Sequence, residues 1–299
     1  MRYTTIRHDG AVAAARVEGD RLIVVDAPDA VAAMRGRGAV RDLAELDAGA
    51  VEYLPVSPEP AHILCVGLNY RGHIRELGRP EPVYPALFAK FASTLLGPTQ
   101  PLVLPAVSDR VDWEAELAVV IGRPAYRIDS TQARAVIAGY TVANDISMRD
   151  WQHRTSEALQ GKAFDHSTPL GPVLVGPDEL DDARNLAVTC EIDGHLLQTG
   201  TTADLLFSPA DLVAYISGFL TLLPGDVILT GTPSGVGETT GLYLRAGQLV
   251  STTIEGIGTC ANRVVAERTG PGEVVGPPHP YTGLESQSQN PASVENQSL

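Results

Sequence analysis

The sequence predicts a mixed, strand-rich α+β fold with a small α+β unit at its N-terminus. Three observations carry that prediction. After residue 60, short apolar runs bounded by Gly, Pro and Asp turns dominate the chain. No alternation of strand and long helix marks a parallel βαβ sheet, and no G-x-G-x-x-G occurs. Before residue 58, paired short strands and an Ala-rich stretch form a pattern of their own, closed by the stiff Ser57-Pro58-Glu59-Pro60. The expected organisation is a small domain over 1–58, a main domain over 59–268 and a tail over 269–299.

The elements follow in order. Tyr3 to Arg7 reads as a strand, with a turn at His8-Asp9-Gly10. Ala11 to Val17 and Arg21 to Val25 flank Glu18-Gly19-Asp20 as a hairpin. Residues 28–47 suggest helical turns broken near Gly36 and Gly38. His62 to Val66 is a buried strand, Arg71 to Gly78 a short helix, and Arg79 to Pro85 a proline-rich loop; helix and loop together are a candidate lid. Ala86 to Lys90 and Pro101 to Pro105 are short apolar stretches. A helix is predicted over Thr131 to Ile137, with Asp129 or Ser130 as N-cap. Gly139 to Ile146 is a strand, Asp193-Gly194 a type I′ turn, and Ser208 to Leu220 a helix capped by Ser208 with Pro209 at its first position. Leu223 to Gly237 gives a turn, a buried strand and a glycine-rich loop. Residues 269–299 contain no Lys or Arg and are rich in Pro, Ser, Gln and Asn, which predicts disorder.

Composition excludes some functions. At 44% hydrophobic and 19% charged residues, the 299-residue chain can bury a full core. A formal net charge of −14 without any Lys/Arg cluster disfavours nucleic acid. No run approaches the ~18 apolar residues of a membrane span, and MRYTTIRHDG lacks the apolar centre of a signal peptide. The expectation is a cytoplasmic protein with neither nucleic-acid nor membrane partners. Cys65, Cys190 and Cys260 sit far apart in apolar runs, as buried free thiols of a reducing compartment would.

Two stretches carry chemistry. In DWEAELAVVIG, 112–122, strand alternation puts Asp112, Glu114 and Glu116 on one face and Trp113, Ala115, Leu117 and Val119 on the other. Like charges on one strand face repel. Such a face is either a solvated acidic edge or a seat for a hard divalent cation. In RGHIRELG, His73 and Glu76 share a helix face. They are either an ordinary ion pair or an imidazole oriented and made more basic by a carboxylate.

Five motifs occur together: VGLNYxxHxxE at 66–76, DWEAELAVVIG at 112–122, GYTVANDISMRDWQ at 139–152, GKAFDHSTPLGP at 161–172 and PGDVILTGTPSGVG at 224–237. In this order the chain resembles the fumarylacetoacetate hydrolase family over roughly 60–266. The similar branch contains acylpyruvate hydrolases, oxaloacetate decarboxylases and hydratase/isomerase enzymes of aromatic catabolism. The resemblance implies a β-roll catalytic domain, a homodimer and a divalent cation, Mg²⁺ or Mn²⁺, held by Glu114, Glu116 and Asp145. Three oxygens on one hemisphere, with positions left open for water and substrate, suit Mg²⁺. It further implies His73, Glu76 and Lys162 as catalytic residues, with Arg149, Gln152, Thr232 and Tyr70 around a 2-oxo acid substrate. Asp112 reads as a salt-bridge partner near the ligands. Hydrolytic cleavage of an acylpyruvate is the first expectation; keto–enol isomerisation, hydration and decarboxylation are the alternatives within enzymes. An inactive relative that only binds a small acid is the alternative outside them. Met148, His153 and Arg154 depart from the family's pattern and bear on the pocket wall.

Overall fold

The computed structural model describes residues 1–36 and 39–267. The expected disordered tail and the break at Gly38 lie outside these residues. In the N-terminal part run β1 (Arg2–His8), β2 (Ala11–Glu18), β3 (Arg21–Val25), α1 (Ala30–Arg35), β4 (Asp42–Asp47) and β5 (Glu52–Leu54). Then follow β6 (Ile63–Gly67), α2 (Arg71–Glu76), β7 (Ala86–Lys90), β8 (Leu95–Leu96), β9 (Leu102–Leu104), β10 (Val111–Asp112) and β11 (Ala115–Ile121). The middle holds α3 (Ser130–Val136), β12 (Ile137–Asn144), β13 (Ser147–Met148), α4 (Arg149–Gln152), α5 (Leu159–Lys162) and β14 (Thr168–Val175). Last come β15 (Ala187–Ile192), β16 (His195–Thr201), α6 (Pro209–Ser217), β17 (Val227–Leu229), α7 (Gly237–Thr240), β18 (Leu249–Ile254) and β19 (Gly258–Ala266).

The strand-rich α+β expectation holds. A 12-stranded mixed sheet runs β4-β3-β2-β1-β14-β12-β11-β17-β6-β7, with β5 on β1 and β8 on β14. A second sheet runs β16-β15-β18-β19-β9, and β10 pairs with β13. The N-terminal strands enter the large sheet through the antiparallel pair β1–β14, Arg2 opposite Val175. Parallel pairing of β17 with β6 brings the glycine-rich loop after β17 beside the chain that leaves β6 for α2.

Turn and cap chemistry follow the sequence. Asp9 and Gly10, and Asp193 and Gly194, all have positive φ, as I′ turns require. Asp129 and Ser208 cap α3 and α6 with reciprocal capping boxes. Residues 42–47 differ from the helical expectation. They form β4, pairing with β3 and placing Glu45 on Arg21 at 3.0 Å, so tertiary pairing overrides the helix propensity of DLAELD.

The acidic stretch also differs. It is not one strand: the chain breaks at Trp113-Glu114, with β10 and β11 in different sheets. β11 lies between β12 and β17 and is buried throughout, so a solvated acidic edge is excluded. Leu117, Val119 and Ile121 pack into one core cluster, and Ala118 and Val120 into another. All three cysteines are fully buried and unpaired. Burial pushes the Cys190 thiol up to about 12 and raises those of Cys65 and Cys260 as well.

One buried carboxylate ties the parallel pair together. Asp226 accepts from the backbone N–H of His62 at 2.9 Å and of Leu223 at 2.7 Å, and pairs with His62 Nδ1 at 2.8 Å. Asp226→Ala strands both N–H groups, and the expected loss is about 2–3 kcal/mol. Urea denaturation should show it as a lower midpoint at constant slope.

Candidate active site

Three adjacent structures converge on one place. β11 contributes Glu116, the break before it contributes Glu114, and the first residue past β12 is Asp145. The backbone fixes their spacing: Asp145 N–H donates to Glu114 C=O at 2.9 Å, and Asn144 Oδ1 accepts from Glu114 N–H at 2.9 Å. One oxygen from each of Glu114, Glu116 and Asp145 lies within 4.8 Å of the others, and all three residues are buried.

Cations of the chain surround the trio. Lys162 Nζ donates to Glu114 Oε2 and to Asp145 Oδ2, each at 2.7 Å. Lys90 Nζ donates to Asp145 Oδ1 at 2.6 Å. Arg149 lies 2.7 Å from Glu114 Oε1 through Nη2, and donates to Asp112 Oδ2 at 2.8 Å through Nε. Asp112 is therefore the salt-bridge partner the sequence suggested. It also accepts from the N–H groups of Trp113, Gly237 and Glu238, which anchors the start of α7.

The electrostatics separate the carboxylates. Burial drives Glu114 upward, but Lys162 and Arg149 outweigh it and hold the group down at about 2. Glu116 goes the other way: burial, then Asp145 and Glu114, raise it well above the usual carboxylate range. Its Oε2 accepts from Gly231 N–H at 2.6 Å, while Oε1 has no donor among the described residues. A crowded trio of hard oxygens with one undonated oxygen fits a divalent cation such as Mg²⁺.

Close backbone approach builds the surroundings. Gly231 has φ +97°, and a Cβ there would lie 2.9 Å from Val66 C=O. Only glycine lets this loop turn its N–H onto Glu116. A Cβ at Gly161 would lie 2.5 Å from Gln152 Cβ, so glycine lets α5 press on α4 and carry Lys162 inward. Thr232 Oγ1 donates to Ala115 C=O at 2.9 Å and accepts from Gln198.

A cavity of about 540 Å³ opens onto this cluster. Of the sequence-predicted residues, it brings together His73, Glu114, Glu116, Arg149, Gln152, Lys162 and Thr232. His73 Nδ1 bonds Glu76 Oε2 at 2.7 Å, leaving Nε2 as the free ring nitrogen on a side chain that lines the cavity. Glu76 Oε1 is held in turn by Gly235 N–H at 3.2 Å and Thr239 Oγ1 at 3.3 Å. Asp145 stands behind the lining, clamped by its two lysines.

Tyr70 is elsewhere than expected. It is fully buried, its hydroxyl has no partner among the described residues, and it is not among the lining residues; it supports the chain before α2. Met148 is buried in the core and forms no pocket wall, and Arg154 lies 3.5 Å over the Trp151 ring. His153 does line the cavity, paired with Glu238.

Lys90 is the principal residue missed by sequence reasoning. ALFAK reads as an apolar strand, yet a lone lysine inside ALFAKFAS is the same signal that singles out Lys162 in GKAFD. Its partner lies 55 positions away, so only the fold joins them.

A small cavity with an oriented imidazole on one wall and clustered, cation-braced carboxylates on another defines an enzyme site for a small molecule. The chain belongs to the fumarylacetoacetate hydrolase family: the family described as fumarylacetoacetate (FAA) hydrolase C-terminal matches residues 62–265. Among curated proteins, it is 43% identical to the Homo sapiens oxaloacetate tautomerase FAHD2A, mitochondrial, over 79% of this chain and 77% of that one. Among solved structures it is similar to 5-carboxymethyl-2-hydroxymuconate delta-isomerase from Mycobacterium smegmatis, with 35% identity and a TM-score of 0.78 over 89% of this chain and 100% of that one. It is also similar to a fumarylacetoacetate hydrolase from Exiguobacterium antarcticum, with 30% identity and a TM-score of 0.79 at the same coverage. Among the described residues no helix is long and apolar enough to cross a membrane.

Removing the Lys90 charge tests the cluster itself. Lys90→Met leaves a buried carboxylate short of a partner, and the expected loss is about 3 kcal/mol in the absence of divalent ions. Adding Asp145→Asn should recover part of that loss. Strictly additive losses in a double-mutant cycle would show that the two groups do not interact.

Proposed function

We propose that this protein moves a proton at the carbon next to the keto group of a small 2-oxo acid, interconverting enol and keto forms. The observation that carries this reading is His73. With Nδ1 committed to Glu76, Nε2 is the free nitrogen, and it belongs to a side chain lining the cavity beside Glu114 and Glu116. Glu76 accepts from the imidazole at Nδ1 and keeps the ring in one orientation. In the ketonising direction Nε2 delivers a proton to C3 while the enol O–H proton passes to cavity water; no carbon–carbon bond breaks. The reverse direction takes the C3 proton onto Nε2.

Glu114, Glu116 and Asp145 would hold a divalent cation, Mg²⁺ or Mn²⁺, and when bound it would supply Lewis-acid polarisation of the keto oxygen. Lys162 places a buried ammonium beside two of these acids and adds positive charge where the enolate oxygen develops. Arg149 fixes Glu114 and, through Nη1, Gln152 Oε1 at 2.8 Å, leaving the Gln152 amide nitrogen for the substrate. Thr232 adds a hydroxyl to the lining.

Likeness to the tautomerase and the isomerase favours proton transfer over the C–C hydrolysis that the sequence puts first. Hydrolysis of an acylpyruvate is the second reading, favoured by the same dyad, since an imidazole of this kind can also activate water.

The deciding experiment follows enol absorbance of oxaloacetate, and pyruvate release from an acylpyruvate panel, with Mg²⁺ present. Faster enol decay without pyruvate from the panel supports the tautomerase. Pyruvate from the panel with enol decay at the uncatalysed rate supports the hydrolase and sinks the first reading. His73→Ala is expected to lower the rate about 10²- to 10⁴-fold. Glu116→Ala is expected to fold and to lose Mg²⁺ binding in calorimetric titration; unchanged affinity would remove Glu116 from the ligand set.

A further inference from the structure

We propose that Arg79 receives a second carboxylate on the substrate, so that the site selects 2-oxo dicarboxylates over monocarboxylates of equal length. The inference rests on the 2-oxo acid reading above and adds the residue that chooses among such acids.

The cavity is lined by Arg79, Arg149 and Lys162 as its arginine and lysine residues. Two of them are already committed. Arg149 serves Asp112, Glu114 and Gln152, and Lys162 serves Glu114 and Asp145. Arg79 is exposed, and its one hydrogen bond among the described residues is the backbone one from its N–H to Ile74 C=O. Glu114 and Glu238 line the same cavity and already take Arg149, Lys162 and His153 as partners, so those side chains are not left over for a ligand. The remote anionic end of a ligand therefore has one lining guanidinium free to take it. A guanidinium presents paired N–H donors in a plane, matched to both oxygens of a carboxylate.

The backbone that carries Arg79 is held in place. Gly78 ends α2 at φ +63°, and the N–H of Arg79 closes back onto Ile74 C=O at 3.0 Å. Pro80, Pro82 and Pro85 stiffen the following loop. Tyr84 stacks on Tyr215 of α6 with ring centroids 6.3 Å apart. Glu81 lies 3.7 Å from Arg71 at the start of α2. The segment is fastened at both ends, and Arg79 is six residues beyond His73 on the same helix–loop unit. The backbone is therefore set before a carboxylate arrives, and only the exposed Arg79 side chain remains to be ordered on binding.

The test compares oxaloacetate with 2-oxobutanoate, which has the same carbon count and one carboxylate fewer. Deuterium incorporation at C3 is followed by NMR with Mg²⁺ for the full chain and for Arg79→Ala and Arg79→Lys. In Arg79→Ala the preference for oxaloacetate, as a ratio of kcat/KM values, should fall roughly 10- to 100-fold, mainly through KM. Arg79→Lys should restore part of it. An unchanged preference, or equal losses on both acids, overturns the proposal. Should the unaltered protein exchange neither acid, the proton-transfer reading fails, and calorimetric binding of both acids to the Mg²⁺-loaded proteins still decides Arg79. There, an affinity ratio identical in the unaltered protein and Arg79→Ala overturns the assignment.

Discussion

Everything in this molecule is arranged around opposite charges buried together. Asp112, Glu114, Glu116 and Asp145 face Lys90, Arg149 and Lys162 with almost no access to water. Leaving any of these unpartnered would be expensive in a medium of low dielectric. The chain answers with short contacts that each draw on a different element: β7, β10, β11, β12, α4 and α5 all contribute a charge or its immediate neighbour. Burial raises Asp112 as well, but Glu116 goes furthest, held well above the usual carboxylate range by burial and by its acidic neighbours. Its Oε1 has no donor among the described residues, so the cluster keeps one carboxylate oxygen uncommitted.

The sheet supplies the stiffness such a cluster needs. β11 is flanked by β12 and β17, buried on both faces, and packed into two separate cores. Carboxylates set at the end of such a strand cannot drift apart without breaking the sheet. Opposite them, α2 is a helix of six residues, tied down by His73–Glu76, by Glu76 to Gly235, and by Gly72 N–H to Asp204 Oδ2 at 2.7 Å. Under the proposed function, the rigid acidic floor would hold the cation and the short, tethered helix would handle the proton.

Much of this was legible in the sequence. Alternation in DWEAELAVVIG puts Glu114 and Glu116 on one side, and family motifs add Asp145, Lys162, Arg149 and Gln152; the structure gathers them all. The I′ turns and capping boxes were readable because they are local. What escaped is long-range. Lys90 meets its partner only through the register of β7 on β6 and β6 on β17. DLAELD becomes a strand only because β3 offers an open edge. The break at Trp113 depends on Asp112 finding α7, far along the chain. Tyr70 misled because adjacency to a motif in sequence is no measure of which way a side chain turns; its neighbour Asn69 faces the loop carbonyls instead, donating to Thr230 C=O at 2.7 Å.

The three shielded thiols have a practical side. Each is sealed in the core with its acidity suppressed, so thiolate at neutral pH is scarce and out of reach of reagents. A cysteine introduced on the exposed side of α2 would then be the sole reactive handle on the folded protein. Fluorophores or spin labels could be attached there without first stripping out the native sulfur, and the helix watched in real time as ligands come and go.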